Sequence, residues 1–175
     1  MPGGGGSLSD CRPWQGMIWA HGNGDRANVN FRSYADLNQA IALNLHKIYA
    51  PVDLVVGIPR SGLLAANFLA VMRNAPLADL DTFLDGRFWT SGKTKRHGGF
   101  ITSMDDVRNV LIIDDSIANG FAMAEARRRT RHLADRFAFT FAAVYGERAS
   151  HPEADLVFEV VRQPRMFQWN FMHHD

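Results

Sequence analysis

Short apolar runs, each closed by glycine, proline or a polar turn, alternate along the chain with segments whose apolar residues recur every three or four positions. The runs Leu54 to Ile58, Leu77 to Leu80, Val110 to Ile113, Phe139 to Tyr145 and Leu156 to Val161 predict strands. Ser33 followed by Asp36 predicts a helix start, with Leu37, Ile41, Leu45 and Ile48 on one face. Leu63 to Arg73 reads as a second helix, packed through Leu64, Phe68 and Val71, and Gly120 to His132 as a third. Strands alternating with helices predict an α/β fold: a central, mostly parallel sheet flanked by helices. There is no internal repeat.

At 175 residues and 46% apolar composition, the chain is sized for one domain with a proper core. Residues 1–10 are glycine-rich and expected to be disordered, leaving 11–175 as the domain. Within it Trp14, Met17, Ile18 and Trp19 suggest a short apolar element that packs over the core or covers the active site. Nineteen cations against eighteen anions leave the chain nearly neutral, which argues against nucleic-acid binding. Arg127, Arg128, Arg129, Arg131 and Arg136 read as a solvated helix face. Cys11 is alone, so no intrachain disulfide is expected; with no bilayer-spanning run and no signal-peptide pattern, the expected location is cytoplasmic. The seven histidines have no zinc spacing, and no protein metal site is expected.

The densest chemistry lies in Val110-Leu-Ile-Ile-Asp-Asp-Ser-Ile-Ala-Asn-Gly-Phe-Ala122. An apolar strand runs into two adjacent carboxylates, then a short polar loop at a helix amino end. Unpaired backbone N–H groups and the helix dipole favour a phosphate there, while Asp114 and Asp115 can accept from two neighbouring ribose hydroxyls. The plain alternative is a helix cap, for which Asp and Ser are suited. Receiver domains of response regulators also end a strand in paired acids, but their phosphoacceptor and lysine come on later strands. Here no lysine follows Asp115. Position excludes that reading.

A second apolar strand enters a turn in Asp53-Leu-Val-Val-Gly-Ile-Pro-Arg-Ser-Gly62. Arg60, at the strand's carboxyl end with backbone donors nearby, suits pyrophosphate, whose oxygens a guanidinium can fork across. The alternative is an ordinary βα turn with a solvated arginine. Between the two turns, Asp85 to Gly99 is rich in glycine and cations and is either a mobile lid or a long surface hairpin.

These two motifs, in this order and spacing, resemble the phosphoribosyl pyrophosphate (PRPP) and pyrophosphate loops of type I phosphoribosyltransferases. The resemblance implies that family's fold, with a small hood formed by the N- and C-terminal segments, and a homo-oligomer. It assigns Asp114, Asp115 and Arg60 to catalysis, and Ser116, Ile117, Ala118, Asn119, Gly120, Phe121 and Ala122 to the 5′-phosphate. Pro59, Arg60, Ser61 and Gly62, with Lys93, Lys95, Arg96 and His97 of the lid, fall to pyrophosphate, and a non-proline cis peptide is expected at Pro59–Arg60. Family loops carry threonine or serine where this chain has Ala118 and Ala122, and often a glycine at Phe121. Arg148 resembles the cation that meets a purine's exocyclic oxygen. Phe167 and Trp169 resemble the aromatic residues that stack on the acceptor, or else pack onto the core. Magnesium is implied as a companion of PRPP, held mostly by substrate oxygens and water.

The ending Pro164-Arg-Met-Phe-Gln-Trp-Asn170 with the two loops also resembles phosphoribosyltransferase domains associated with bacterial surface polysaccharide synthesis. That subgroup implies transfer to a sugar hydroxyl instead of a nucleobase. A non-catalytic PRPP or nucleotide sensor with the same fold is the alternative from a different functional class.

Overall fold

The computed structural model describes residues 29–92 and 101–170. Strand β1 (Asn30–Arg32) leads into helix α1 (Tyr34–Asn44), whose start is a reciprocal cap. The Ser33 hydroxyl accepts from the Asp36 amide at 3.2 Å, and the Asp36 carboxylate accepts from the Ser33 amide at 2.7 Å. Those Ser33 hydrogen bonds hold the Asp36 carboxyl below its usual range. Leu37 and Ile41 are buried as the periodicity requires; Leu45 falls in a 3₁₀ turn but still packs on the core.

Five strands form the central sheet: β2 (Leu54–Gly57), β3 (Leu77–Asp79), β4 (Asn109–Ile117), β5 (Ala138–Gly146) and β6 (Leu156–Val160). They lie in the order β3-β2-β4-β5-β6, and every pairing is parallel. Leu80 is not part of β3. Asp79 accepts from the Thr82 amide at 2.7 Å and caps a short helix, α3 (Leu80–Leu84), so the apolar run is split between two elements. Helices α1 and α2 (Gly62–Arg73) share one core cluster with Val55, Leu111 and Ile113. Phe83 of α3, and Met123 and Ala126 of α4 (Phe121–Thr130), share another with Val56, Val110 and Ile112. Both faces of the sheet are covered, as near-continuous apolar strands demand.

The face of α2 differs from the expected one. Ala65, Ala66, Leu69 and Ala70 meet the sheet, Leu64 and Phe68 are only partly buried, and Val71 is exposed. The cause is Gly57 on β2: a Cβ there would sit 2.7 Å from the Leu63 Cα and 2.9 Å from the Ala66 Cβ. At Gly57 the helix approaches too closely for a residue larger than Ala66, while Leu69 is fully buried further along the helix. Gly57→Ala is therefore expected to destabilise the fold by roughly 1–3 kcal/mol, because the clash is with backbone. Urea unfolding of the two proteins checks it; equal midpoints would show that α2 can retreat freely.

A second, two-stranded sheet pairs β1 with β7 (Arg165–Phe167) in parallel, joining the segments that flank the central sheet in sequence into a small hood. It is tied to the main sheet by Arg32 to Glu159 at 2.8 Å. The start of the glycine- and cation-rich segment is also anchored, since Trp89 and Leu77 exchange backbone hydrogen bonds at 2.7 and 2.9 Å. Any lid thus begins beyond Trp89. Lys93, Lys95, Arg96 and His97 lie outside the described residues, as do residues 1–10 and the Trp14–Trp19 stretch.

Of the five arginines from Arg127 to Arg136, Arg128, Arg131 and Arg136 are exposed as expected, and Arg127 and Arg129 are half-buried. Arg127 donates to the Glu153 carbonyl and the Asp155 carboxylate at 2.9 and 2.7 Å and lies 4.0 Å over the Phe141 ring. Arg129 reaches Asp81 of α3, and Arg136 reaches Asp105. Their work is to tie α4 and the turn after it to neighbouring elements. No helix of the described residues is long and apolar enough to cross a membrane.

Candidate active site

Strand β2 has β3 on one side and β4 on the other, so the connections leaving β2 and β4 diverge at their carboxyl ends. Such a crevice is where open α/β sheets bind ligands. Both loops singled out in the sequence open onto it, and they touch. A Cβ on Gly62 would stand 2.8 Å from Asp114 Oδ1 and 2.9 Å from the Ile113 carbonyl. Glycine is required there because the Asp114 side chain and the backbone of β4 already fill the space.

On the β2 side, Pro59 and Arg60 are exposed, and the peptide between them is cis. No described residue accepts from the Arg60 guanidinium. Ser61 opens α2 without a side-chain capping bond, leaving its hydroxyl uncommitted.

On the β4 side, the strand does not stop at Ile113. It continues to Ile117, with Asp114, Ser116 and Ile117 opposite Ala143, Tyr145 and Gly146 of β5. The reason is β5 itself, which extends just as far and holds the ladder open for pairing. The expected phosphate loop of Ser116 to Ala122 is correspondingly shorter. Ser116 is half-buried in the strand, and the Ile117 side chain is core. Only Ala118, Asn119 and Gly120 form the loop proper, and Phe121 and Ala122 open α4. Gly120 sits at φ +78°, a conformation that favours glycine. Asn119 Oδ1 accepts from the Phe121 amide at 3.2 Å, and the Phe121 ring is 75% exposed.

Strand alternation separates the two carboxylates. Asp115 is 2% exposed, and its Oδ2 accepts from the Trp169 indole N–H at 2.6 Å. Asp114 Oδ1 accepts from the Asp115 amide at 2.9 Å. Burial first, and then the Asp115 charge and a side-chain hydrogen bond to Asp115, push the Asp114 carboxyl up to about 8. Near neutral pH the ligand-free pair therefore holds a proton on Asp114. The two acids are thus not equivalent: Asp114, half-buried beside Asp115, is the one pushed toward its neutral form.

The aromatic residues assigned to the acceptor form a stack instead. Tyr145, Phe167 and Trp169 lie nearly parallel, with Phe167 and Trp169 centroids 5.1 Å apart and Tyr34 tilted against Trp169 at 5.9 Å. Phe167 is 6% exposed, so it belongs to the core, and the Tyr145 and Trp169 centroids also lie within 6.3 Å of each other. Arg148 is exposed and lines a cleft of about 240 Å³ with Ile117, Ala118, Glu147, Ser150 and His151.

Two site residues carried no usable signal in the sequence. Arg165 of β7 donates to the Ile117 carbonyl at 3.3 Å, and its other terminal nitrogen is buried without a partner among the described residues. His151 packs directly on Gly120. Both come from chain segments remote from the loop they touch, and only the hood and the β5–β6 turn bring them in.

Solved structures with the same architecture include phosphoribosyltransferases. The xanthine-guanine-hypoxanthine phosphoribosyltransferase of Helicobacter pylori matches with a TM-score of 0.58 at 13% identity, over 80% of this chain and 92% of that one. A purine phosphoribosyltransferase from Pyrococcus horikoshii matches at 0.55 and 16% identity, over 83% and 96%. The fold is that of a type I phosphoribosyltransferase. A hypothetical protein from Neisseria gonorrhoeae, solved with bound ppGpp, has this architecture too, at a TM-score of 0.53 and 14% identity over 82% of this chain and 91% of that one. No protein-family model matches the sequence, and no curated protein matches it.

Proposed function

We propose that this chain transfers the 5-phosphoribosyl group of PRPP to an acceptor and releases pyrophosphate. The observation that carries the reading is the contact between the two motifs at the crevice, where Gly62 at the start of α2 lies against Ile113 and Asp114 of β4, two positions after Arg60, whose guanidinium has no partner among the described residues. One loop offers a cation and backbone donors to the pyrophosphate; the other offers helix-terminal amides to the 5′-phosphate and carboxylates to the ribose hydroxyls. In the reaction the bond from the anomeric carbon to pyrophosphate breaks. A bond to the acceptor's oxygen or nitrogen forms, and the acceptor's proton is released. Arg60, with Lys93, Lys95 and Arg96, stabilises the departing anion, and the anionic carboxylate of the pair favours the positive charge developing on the sugar.

Magnesium fits this site as a companion of the substrate. Among the described residues no cluster of three or more metal-ligating side chains exists, but the rim carries hard carboxylate oxygens at Asp114 and Asp115 that can act on the ion through water. When bound with PRPP, the ion offsets charge on the pyrophosphate.

For the acceptor, the polar lining of Glu147, Arg148 and Ser150 together with the closed aromatic stack supports a sugar hydroxyl, as in surface-polysaccharide synthesis. A nucleobase is the other candidate, through Arg148 and the outer edge of Trp169. The test is to incubate the protein with PRPP and magnesium and measure pyrophosphate release with nucleobases and with sugar acceptors side by side. Release with either class supports transfer. A PRPP or nucleotide sensor is a second reading, favoured by one observation: Trp169 already occupies an oxygen of Asp115. Binding of PRPP with no release under any acceptor would establish that reading instead. A homo-oligomer and a cytoplasmic location remain part of the proposal.

A further inference from the structure

The loop that faces the 5′-phosphate is poor in side-chain donors: Ala118 and Ala122 have no hydroxyl, which leaves the Asn119 amide nitrogen, while Asn119 Oδ1 accepts from the Phe121 amide. We propose that His151 supplies a further donor, contacting the phosphate through Nε2. This inference rests on the PRPP reading of the site. Three observations carry it. First, His151 Nδ1 accepts from the Glu153 amide at 3.1 Å, which leaves the proton of a neutral ring on Nε2; protonated or not, that nitrogen is a donor. No described residue accepts from it. Second, the ring lies against the loop: a Cβ on Gly120 would run into His151 Cε1 and come within 3.2 Å of Nε2. The left-handed glycine and the imidazole thus fit one another at the amino end of α4, beside the cleft lined by Ala118, Ser150 and His151.

Third, the imidazole is held in place before any ligand arrives. Arg127 of α4 donates to the Glu153 carbonyl and to Asp155, while Asp155 Oδ2 accepts from the Phe141 amide of β5 at 2.7 Å. The helix whose amino end receives the phosphate also anchors the turn carrying the histidine. A donor fixed in this way binds without losing side-chain freedom.

The experiment is isothermal titration of ribose 5-phosphate into the whole protein, as wild type, His151→Ala and His151→Gln. A lost hydrogen bond to a charged group predicts an affinity roughly ten- to a hundredfold weaker in the alanine variant. Glutamine places an amide nitrogen close to the position of Nε2 and should recover most of that loss, which a purely structural role for the ring would not allow. If wild type binds and the alanine variant binds equally well, or glutamine is no better than alanine, the role of His151 is refuted while the PRPP reading stands. If wild type binds neither ribose 5-phosphate nor PRPP, the reading itself fails and this inference with it.

Discussion

Replacing Asp115 with asparagine should lower turnover between tenfold and a thousandfold while leaving the protein folded. Asparagine is close in shape, and its amide oxygen can still accept from Trp169, so the stack of Tyr145, Phe167 and Trp169 keeps its anchor. What disappears is the nearly dry carboxylate that the proposed transfer sets beside the anomeric carbon. In such a site an electrostatic partner of the transition state is worth far more than in water, and removing one typically costs a few kcal/mol. Steady-state pyrophosphate release with the productive acceptor, compared at saturating PRPP, measures the effect. The loss belongs in kcat, since the charge is needed most when the sugar is cationic. Full activity in the variant would remove Asp115 from the mechanism.

Asp114→Asn should stabilise the ligand-free protein, by a margin that grows with pH. The Asp114 carboxyl titrates near its ordinary value of 3.8 in the unfolded chain and at about 8 in the fold, where burial and Asp115 keep it protonated. Below the lower value both states hold the proton and the fold is not penalised. As pH rises through the interval, the unfolded chain gives up its proton while the folded one retains it, so stability falls and levels off only above about 8. At about 1.4 kcal/mol per unit the cumulative loss is on the order of 5 kcal/mol at most. Asparagine has no proton to lose and escapes it. Urea unfolding of both proteins from pH 5 to pH 9 reads the difference directly. Curves that run parallel across that range would mean that Asp114 is an ordinary carboxylate. Retaining an acid there despite its cost is the behaviour of a functional site, where stability is given up for chemistry.

The parts of the site that were legible beforehand are those written in consecutive residues. Arg60 and the acidic pair each follow an apolar run, and a run buried on both faces can hardly be anything but an inner strand of a parallel sheet. Residues following such strands fall at the carboxyl rim, so the two motifs had to share an edge. The pattern misled where the deciding contact came from elsewhere. Val71 looks like a core residue of α2 until Gly57 on β2 lets the helix settle onto its alanines. Ser116 and Ile117 look like loop until β5 is seen to pair with them. Phe167 looks like a platform for an acceptor until the fold buries it in the core beside Tyr145 and Trp169.

Taken alone, the sequence determined that this is an α/β protein with a parallel sheet, that two βα turns carry its chemistry, and that their residues suit a phosphorylated, hydroxylated ligand. These follow from burial and turn chemistry, which act over a few residues and leave a local pattern. Only the tertiary structure decided how the acidic pair is divided, with Asp115 given to Trp169, 54 residues along the chain, and Asp114 left to hold a proton. It alone set His151 on Gly120 and Arg165 on Ile117. Contacts of that kind depend on which distant surfaces pack together, and the free energy that selects them comes from the whole core, so no short stretch of residues records them.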